Sequence, residues 1–298
     1  MPNYQEGIFT DNANCFNVSE YKLVEKDLTK IRKAIHIILN RNVENIYVVV
    51  SFGKELWSML SDVVLDNFND FKTLDGKNGY QMPSTQADLY FRVLGSDQSA
   101  VLDTTLVIEE TLKGIFDVVL SENGFVYKDH RDLTGFVDGS ANPKEEKKYL
   151  AALIPANEIG ANGSFVFHQK WVHNLEKFNH LPVEVQEKII GRTKQESIEL
   201  EGDDMPENSH VSRTDAKHNG VAMKIWRRSF PYGSALEKGL FFIAYTCDPF
   251  RVDIQLERML GNTEDKVSDR IMEFSTAVSG GYSFAPSIED LEKALTVH

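Results

Sequence analysis

Between residues 24 and 128 the apolar residues change period repeatedly, and that order constrains the fold more than any single motif. In "VEKDLTKIRKAIHIIL" (24–39), Val24, Leu28, Ile31, Ile35 and Ile38 recur every three to four residues, the stripe of a helix buried on one side. "NIYVVVSFG" (45–53) is then a continuous β-branched run suited to a buried strand, and "ADLYFRVLG" (87–95) reads as another. A helical stretch over 98–115 and an apolar segment near 116–128 complete the unit. The order resembles strand, helix, strand, strand, helix, strand, a ferredoxin-like pattern.

The remainder repeats that order. "GSFVFHQKWVH" (163–173) reads as a strand, "PVEVQEKIIG" (182–191) as a helix, and "VAMKIWRRSF" (221–230) and "GLFFIAYTC" (239–247) as strands. Helical patterns follow near 249–260 and 264–275, with a last strand around 281–285. The expected fold is α+β, two ferredoxin-like halves with antiparallel sheets, divided as residues 1–133 and 134–298. Residue-level identity between the halves is too weak to mark a repeat.

Charge excludes some partners. Thirty-two Lys+Arg against 45 Asp+Glu give a formal charge of -13, which repels nucleic acid and anionic lipid. The first residues lack a basic and then apolar leader, and no apolar run approaches the roughly 20 residues that span a bilayer. The expectation is a cytoplasmic protein with no membrane partner. Cys15 and Cys247 are too few for a disulfide framework and have no metal-ligand spacing, so both are expected to be reduced thiols.

Three stretches could carry chemistry. "TGFVDGSANP" (134–143) holds one charged group, Asp138, between Gly135 and Gly139. It is either a turn residue accepting backbone N–H bonds or an acid aimed at a group that the glycines let approach. The calcium-loop ladder is absent. "GRTKQESIELEGDDMPENSH" (191–210) is long, acidic and aperiodic, and ends on His210, a surface or capping histidine or else a metal ligand. The other seven histidines show no H-E-x-x-H or other paired spacing, which leaves zinc hydrolysis unsupported. In "MKIWRRSFPYG" (223–233), strand alternation puts Met223, Ile225, Arg227 and Ser229 on one face and Lys224, Trp226, Arg228 and Phe230 on the other. Its aliphatic neighbours make Arg227 the inward arginine, either ion-paired with a buried carboxylate or holding an anion.

"GFVDGSANP", "IGRTK", "PENSHVSR", "RRSFPYG" and "EFSTAVSGGYSFAPS", in that order and with "EGIFTDN" and "PSTQADLYFRV" ahead of them, resemble the dye-decolorising peroxidase family, in particular its compact bacterial subgroup. The likeness covers nearly the whole chain. It implies haem b, a duplicated ferredoxin-like fold of the dimeric α+β barrel type, hydrogen peroxide as oxidant, aromatic electron donors such as dyes, and a homo-oligomer. The C-terminal half is then the one that carries most haem-binding residues. By motif position the resemblance implies His210 as the proximal iron ligand, Asp138 as the distal acid and Arg227 as the distal arginine. It also implies Asp269 in "SDRIMEFS" as a carboxylate bonded to that histidine, and Arg192 in "GRTK" as a contact of a haem propionate. Ser229 stands at the haem-pocket position where some relatives carry asparagine, two residues after the distal arginine. A rival on the same fold is a haem carrier or iron-releasing protein with little turnover, which peroxide-dependent dye oxidation distinguishes.

These roles are chemically coherent. Cleaving peroxide heterolytically needs a group that moves a proton between its oxygens and a cation that stabilises the departing oxygen. A carboxylate on the far nitrogen of a ligating histidine raises its basicity. A pocket closed by Arg227 and apolar residues admits peroxide and keeps bulky dyes at the protein surface.

Overall fold

The computed structural model describes residues 3–296 and shows one large ten-stranded sheet carrying helices on one face. In the first half, β1 (Cys15–Leu23), α1 (Leu28–Leu39), β2 (Ile46–Phe52), β3 (Leu89–Gly95), α2 (Gln98–Leu112) and β4 (Phe116–Phe125) follow one another. The strands lie in the order β2–β3–β1–β4, each pair antiparallel. α1 begins later than its apolar stripe because the Asp27 carboxylate accepts the N–H groups of Thr29 and Lys30 and caps the helix there. Val24 is left exposed, while Ile31, Ala34, Ile35 and Ile38 are buried.

The second half contributes β5 (Ser164–His173), α3 (Val183–Ile190), α4 (His210–Thr214), β6 (Trp226–Arg227), β7 (Phe230–Gly233), β8 (Lys238–Thr246), α5 (Phe250–Leu260), β9 (Ser275–Ala277) and β10 (Gly281–Ala285). Its order is β6–β8–β5–β10, with β7 also on β8 and β9 also on β5. This is the first half's order repeated. The halves join where Phe284 of β10 pairs with Phe52 of β2. At the far ends of the path, Phe230 packs directly against Gly124 of β4, where any side chain would collide with the ring. Phe16, Phe230 and Phe241 stack there with centroids 5.2 and 5.7 Å apart, so the sheet curls toward a barrel.

Strand alternation divides the core accordingly. Phe16, Val18, Tyr90, Val166 and Tyr245 fill the concave interior. Phe91, Phe167 and Phe284 face the other way, beneath helices that include α1 and α5 (Phe250–Leu260).

Two expectations are corrected. Residues 221–230 do not form one strand: Val221–Ala222 pairs with Lys217–His218 in a separate hairpin, and β6 is only two residues long. The Arg227 N–H is taken by the side chain of Asn142 instead of by another strand, which ends the ladder. Residues 264–275 are not a helix but a loop, a short 3-10 turn at Arg270–Glu273 and the start of β9. Asp265 and Asp269 each accept the N–H two residues ahead, and Lys266 sits at φ +60°, local bonding that competes with helix. β1 carries no readable apolar run because Asn17, Ser19 and Glu20 are buried along with its hydrophobes.

Candidate active site

A cavity of about 280 Å³ opens on the helix-bearing side of the second half. β5 and β8 form its floor, and the 132–141 turn, α4 (His210–Thr214) and α5 surround it. Its walls are largely apolar, with Phe136, Ile225, Phe242, Leu256, Met259 and Ile271 contributing.

The glycines of the turn are needed for its path. Gly135 and Gly139 lie at φ +90° and +73°, in the left-handed region that a side chain disfavours. Asp138, half-buried between them, accepts the Gly139 N–H at 2.7 Å through Oδ1; Oδ2 has no partner among the described residues. The carboxylate is thus a turn residue with one oxygen and open to the cavity with the other. Asn142 ties this turn to β6, donating to Arg227 O at 2.9 Å and accepting from Arg227 N–H at 3.0 Å. Sequence reasoning missed Asn142. Its signal was its place at the end of the Asp138 motif, where it reads as an ordinary turn residue.

Arg227 and Arg228 part as strand alternation requires. Arg227 lines the cavity, and its guanidinium makes no ion pair or hydrogen bond among the described residues. Arg228 points away and is held by Asp11 at 2.7 Å and by Thr10 O. The buried ion pair that pattern alone left open for Arg227 is therefore absent.

His210 opens α4, behind a buried Ser209 whose hydroxyl accepts the Ser212 N–H. Its Nδ1 lies 2.7 Å from Asp269 Oδ2, and the fully buried Asp269 accepts the Ile271 N–H through its other oxygen. A carboxylate saturated in this way takes the Nδ1 proton as its partner. Nε2 then presents a lone pair, and it has no partner among the described residues. The arrangement would let a single imidazole nitrogen ligate a metal centre in an open cavity, and among the described residues no cluster of three or more metal-ligating side chains exists.

Arg192 stands at the cavity edge, held by Ser197 O at 3.0 Å and by Glu199. Ser229 is not among the residues lining this cavity, and its hydroxyl accepts the Ile243 N–H at 3.4 Å. On β5, Gln169 faces the cavity fully buried with neither amide atom partnered. An unpaired buried amide is costly, and a polar group bound in the cavity would satisfy it. At the end of β5, His173 contacts Asp132 and Ser275, a cluster with no spacing signal in the sequence.

Known proteins place this geometry. The family model described as Dyp-type peroxidase, N-terminal, matches residues 5–126, and that described as Dyp-type peroxidase, C-terminal, matches residues 129–290. The dye-decolorizing peroxidase of Rhodococcus erythropolis is 34% identical over 250 residues, 82% of this chain and 73% of that protein. The one from Mycobacterium tuberculosis is 33% identical over 275 residues, 90% and 82% of the two chains. Among solved structures, a putative Dyp-type peroxidase of Shewanella oneidensis superposes with TM-score 0.92 at 29% identity, over 100% of this chain and 99% of that one. A variant of Rhodococcus jostii RHA1 DypB in complex with heme superposes with TM-score 0.87 at 30% identity, over 96% of each. Two models of one family cover both halves of the sheet, relatives above 30% identity span most of the chain, and the chain belongs to the Dyp-type peroxidase family.

Proposed function

We infer that this chain is a haem b peroxidase that uses hydrogen peroxide to oxidise dyes and other aromatic electron donors. One observation carries the reading: His210 Nε2 is free toward an apolar cavity while Nδ1 is fixed by a buried carboxylate. The residues fit the cofactor. One neutral imidazole is available for the iron, apolar walls surround the space, and the orphaned Gln169 amide marks a place for a polar group.

When bound, haem b supplies the iron at which peroxide is reduced and through which electrons are drawn from the donor. His210 would hold that iron through Nε2, with Asp269 keeping the Nδ1 proton and strengthening donation from Nε2. Asp138, with its unpartnered oxygen, would move a proton between the two oxygens of peroxide. Arg227, charged and unpaired, stabilises the negative charge on the departing oxygen. Asn142 holds these two groups in register through the Arg227 backbone. Arg192 is the cation for a propionate, in place of Glu199, whose side chain is half exposed and free to turn to solvent.

A haem carrier requires only His210. The unpaired Arg227 and open Asp138 on the same cavity favour turnover. The two free thiols favour a cytoplasmic location, and Val118, Val119 and Phe125, exposed along β4, are the surface a homo-oligomer would cover. Rapid mixing of haem-loaded protein with peroxide should change the Soret spectrum at once, and a dye added next should be oxidised. Tight haem binding with an unreactive spectrum and only slight dye oxidation would favour the carrier.

A further inference from the structure

α4, which carries His210 as its first residue, is five residues long and too short to hold its own shape, so its neighbours must set its direction. Two arginines do this by exchange. Arg258, in the last turn of α5, donates through Nε to Arg213 O at 2.9 Å and through a terminal nitrogen to Ser212 O at 2.7 Å. Those carbonyls lie at the end of α4, where a helix leaves them without internal partners. In return, Arg213 Nε on α4 donates to Arg258 O at 3.1 Å.

The terminal nitrogens of Arg213 reach the loop that follows α5. They form a two-pronged pair with Asp265, at 2.7 and 3.2 Å, and one also meets the Thr263 hydroxyl at 3.1 Å. Arg213 is buried, and it holds the Asp265 carboxyl well below the usual carboxylate range. Four residues along the same loop, Asp269 meets His210. α4 therefore grips one loop twice, through His210 on Asp269 and, three helical residues later, through Arg213 on Asp265. Burial and then the Arg213 charge work against the charge on Arg258, which Asp265 partly offsets. The two cations are kept together at a cost.

Backbone bonds already pin the other partners. The Asp269 N–H donates to Met259 O at 2.8 Å, and the Arg270 N–H donates to Asn208 O at 2.9 Å, just ahead of α4. The arginine exchange fixes the far end of α4, and two fixed ends define its direction. Arg213, Arg258 and Asp265 are not among the residues lining the cavity, so any effect they have on it passes through His210.

We propose that Arg213, Arg258 and Asp265 are positioning residues for His210, which hold Nδ1 on Asp269 and aim Nε2 into the cavity by fixing the far end of α4. The proposal rests on the haem reading of that cavity. Hydrogen bonds weaken steeply with misalignment, so a slackened α4 weakens the His210–Asp269 bond and lowers the basicity of Nε2.

Asp265→Asn removes the counter-charge of Arg213, and Arg258→Met frees the carbonyls of α4. In each haem-loaded variant, loss of haem to an excess of apomyoglobin should be about ten to a hundred times faster than in the wild type. The iron reduction potential should rise, and the iron–histidine stretching frequency of the ferrous protein should fall. Asp269→Asn, with and without Asp265→Asn, separates positioning from stability. If Asp265 acts through the His210–Asp269 bond, its effect on potential and stretching frequency should largely vanish once that bond is gone. The Asp265 side chain is 43% exposed, so its variant carries the same measurements if Arg258→Met fails to fold. Lower melting temperatures with wild-type haem loss, potential and stretching frequency, or fully additive effects in the Asp269→Asn background, would overturn the positioning role alone. A haem spectrum that survives His210→Ala would overturn the haem reading and the proposal with it.

Discussion

Two histidine–carboxylate pairs of nearly equal length lie on opposite faces of the same sheet. His168 Nδ1 meets Glu20 Oε1 at 2.8 Å inside the curled sheet, where both side chains are at most 2% exposed. His210 Nδ1 meets Asp269 at 2.7 Å on the other side, where Asp269 is sealed but the histidine side chain is 31% exposed. Tyr90 stacks on the His168 ring at 4.4 Å, and His168 Nε2 is buried without a partner. Burial pushes the Tyr90 hydroxyl well above the usual tyrosine range, which marks how closed this face is. A carboxylate orients an imidazole equally well in either place. Access to the second nitrogen decides whether the ring can ligate anything.

The largest effect should separate these pairs. His210→Ala should lose haem or give a ligand-deficient spectrum, while His168→Ala should keep the haem spectrum and lose about 3–5 kcal/mol of stability, because it strands Glu20 in the interior. Haem content and spectra, with denaturant melts, check both. The reverse outcome would exchange the roles assigned to the two faces.

Asp138→Asn should slow the peroxide phase about a hundredfold to ten-thousandfold. A mutant with wild-type peroxide kinetics would move the proton work elsewhere. Arg227→Leu should lower the rate about a hundredfold to a thousandfold, because it removes the unpaired cation that lines the cavity. Arg228→Leu, which breaks contacts with Asp11 and Thr10 away from the cavity, should act mainly on stability. If Arg228→Leu proved the slower enzyme, the facing of β6 would be wrong.

The smallest effect concerns Asp132. Its folded pKa of about 2 lies below that of an unfolded aspartate, so its contribution is full above about pH 4 and is lost as pH falls toward 2. The amount is about 2 kcal/mol. Asp132→Asn should flatten that part of the acid-unfolding curve, as measured by melts at stepped pH.

The periodicities of α1, β2, β3 and α5 were legible because each buries one stripe or one continuous run. β1 was not, since its polar residues are buried by other strands. The loop at 264–275 read as helix because Asx bonding leaves no periodic trace.

By itself the sequence determined the α+β order, the inward facing of Arg227 relative to Arg228, and, through ordered motifs, the family. Those follow from local periodicity and from motif position. Only the tertiary structure decided that Asn142 ties Asp138 to Arg227, that Ser229 lies off the cavity, and that His173 joins Asp132 and Ser275. Those contacts pair residues that lie 14 to 102 positions apart in the chain, and curling of the sheet sets which of them meet. Hydrogen bonds between such distant groups depend on position in space, and spacing along the chain does not encode them.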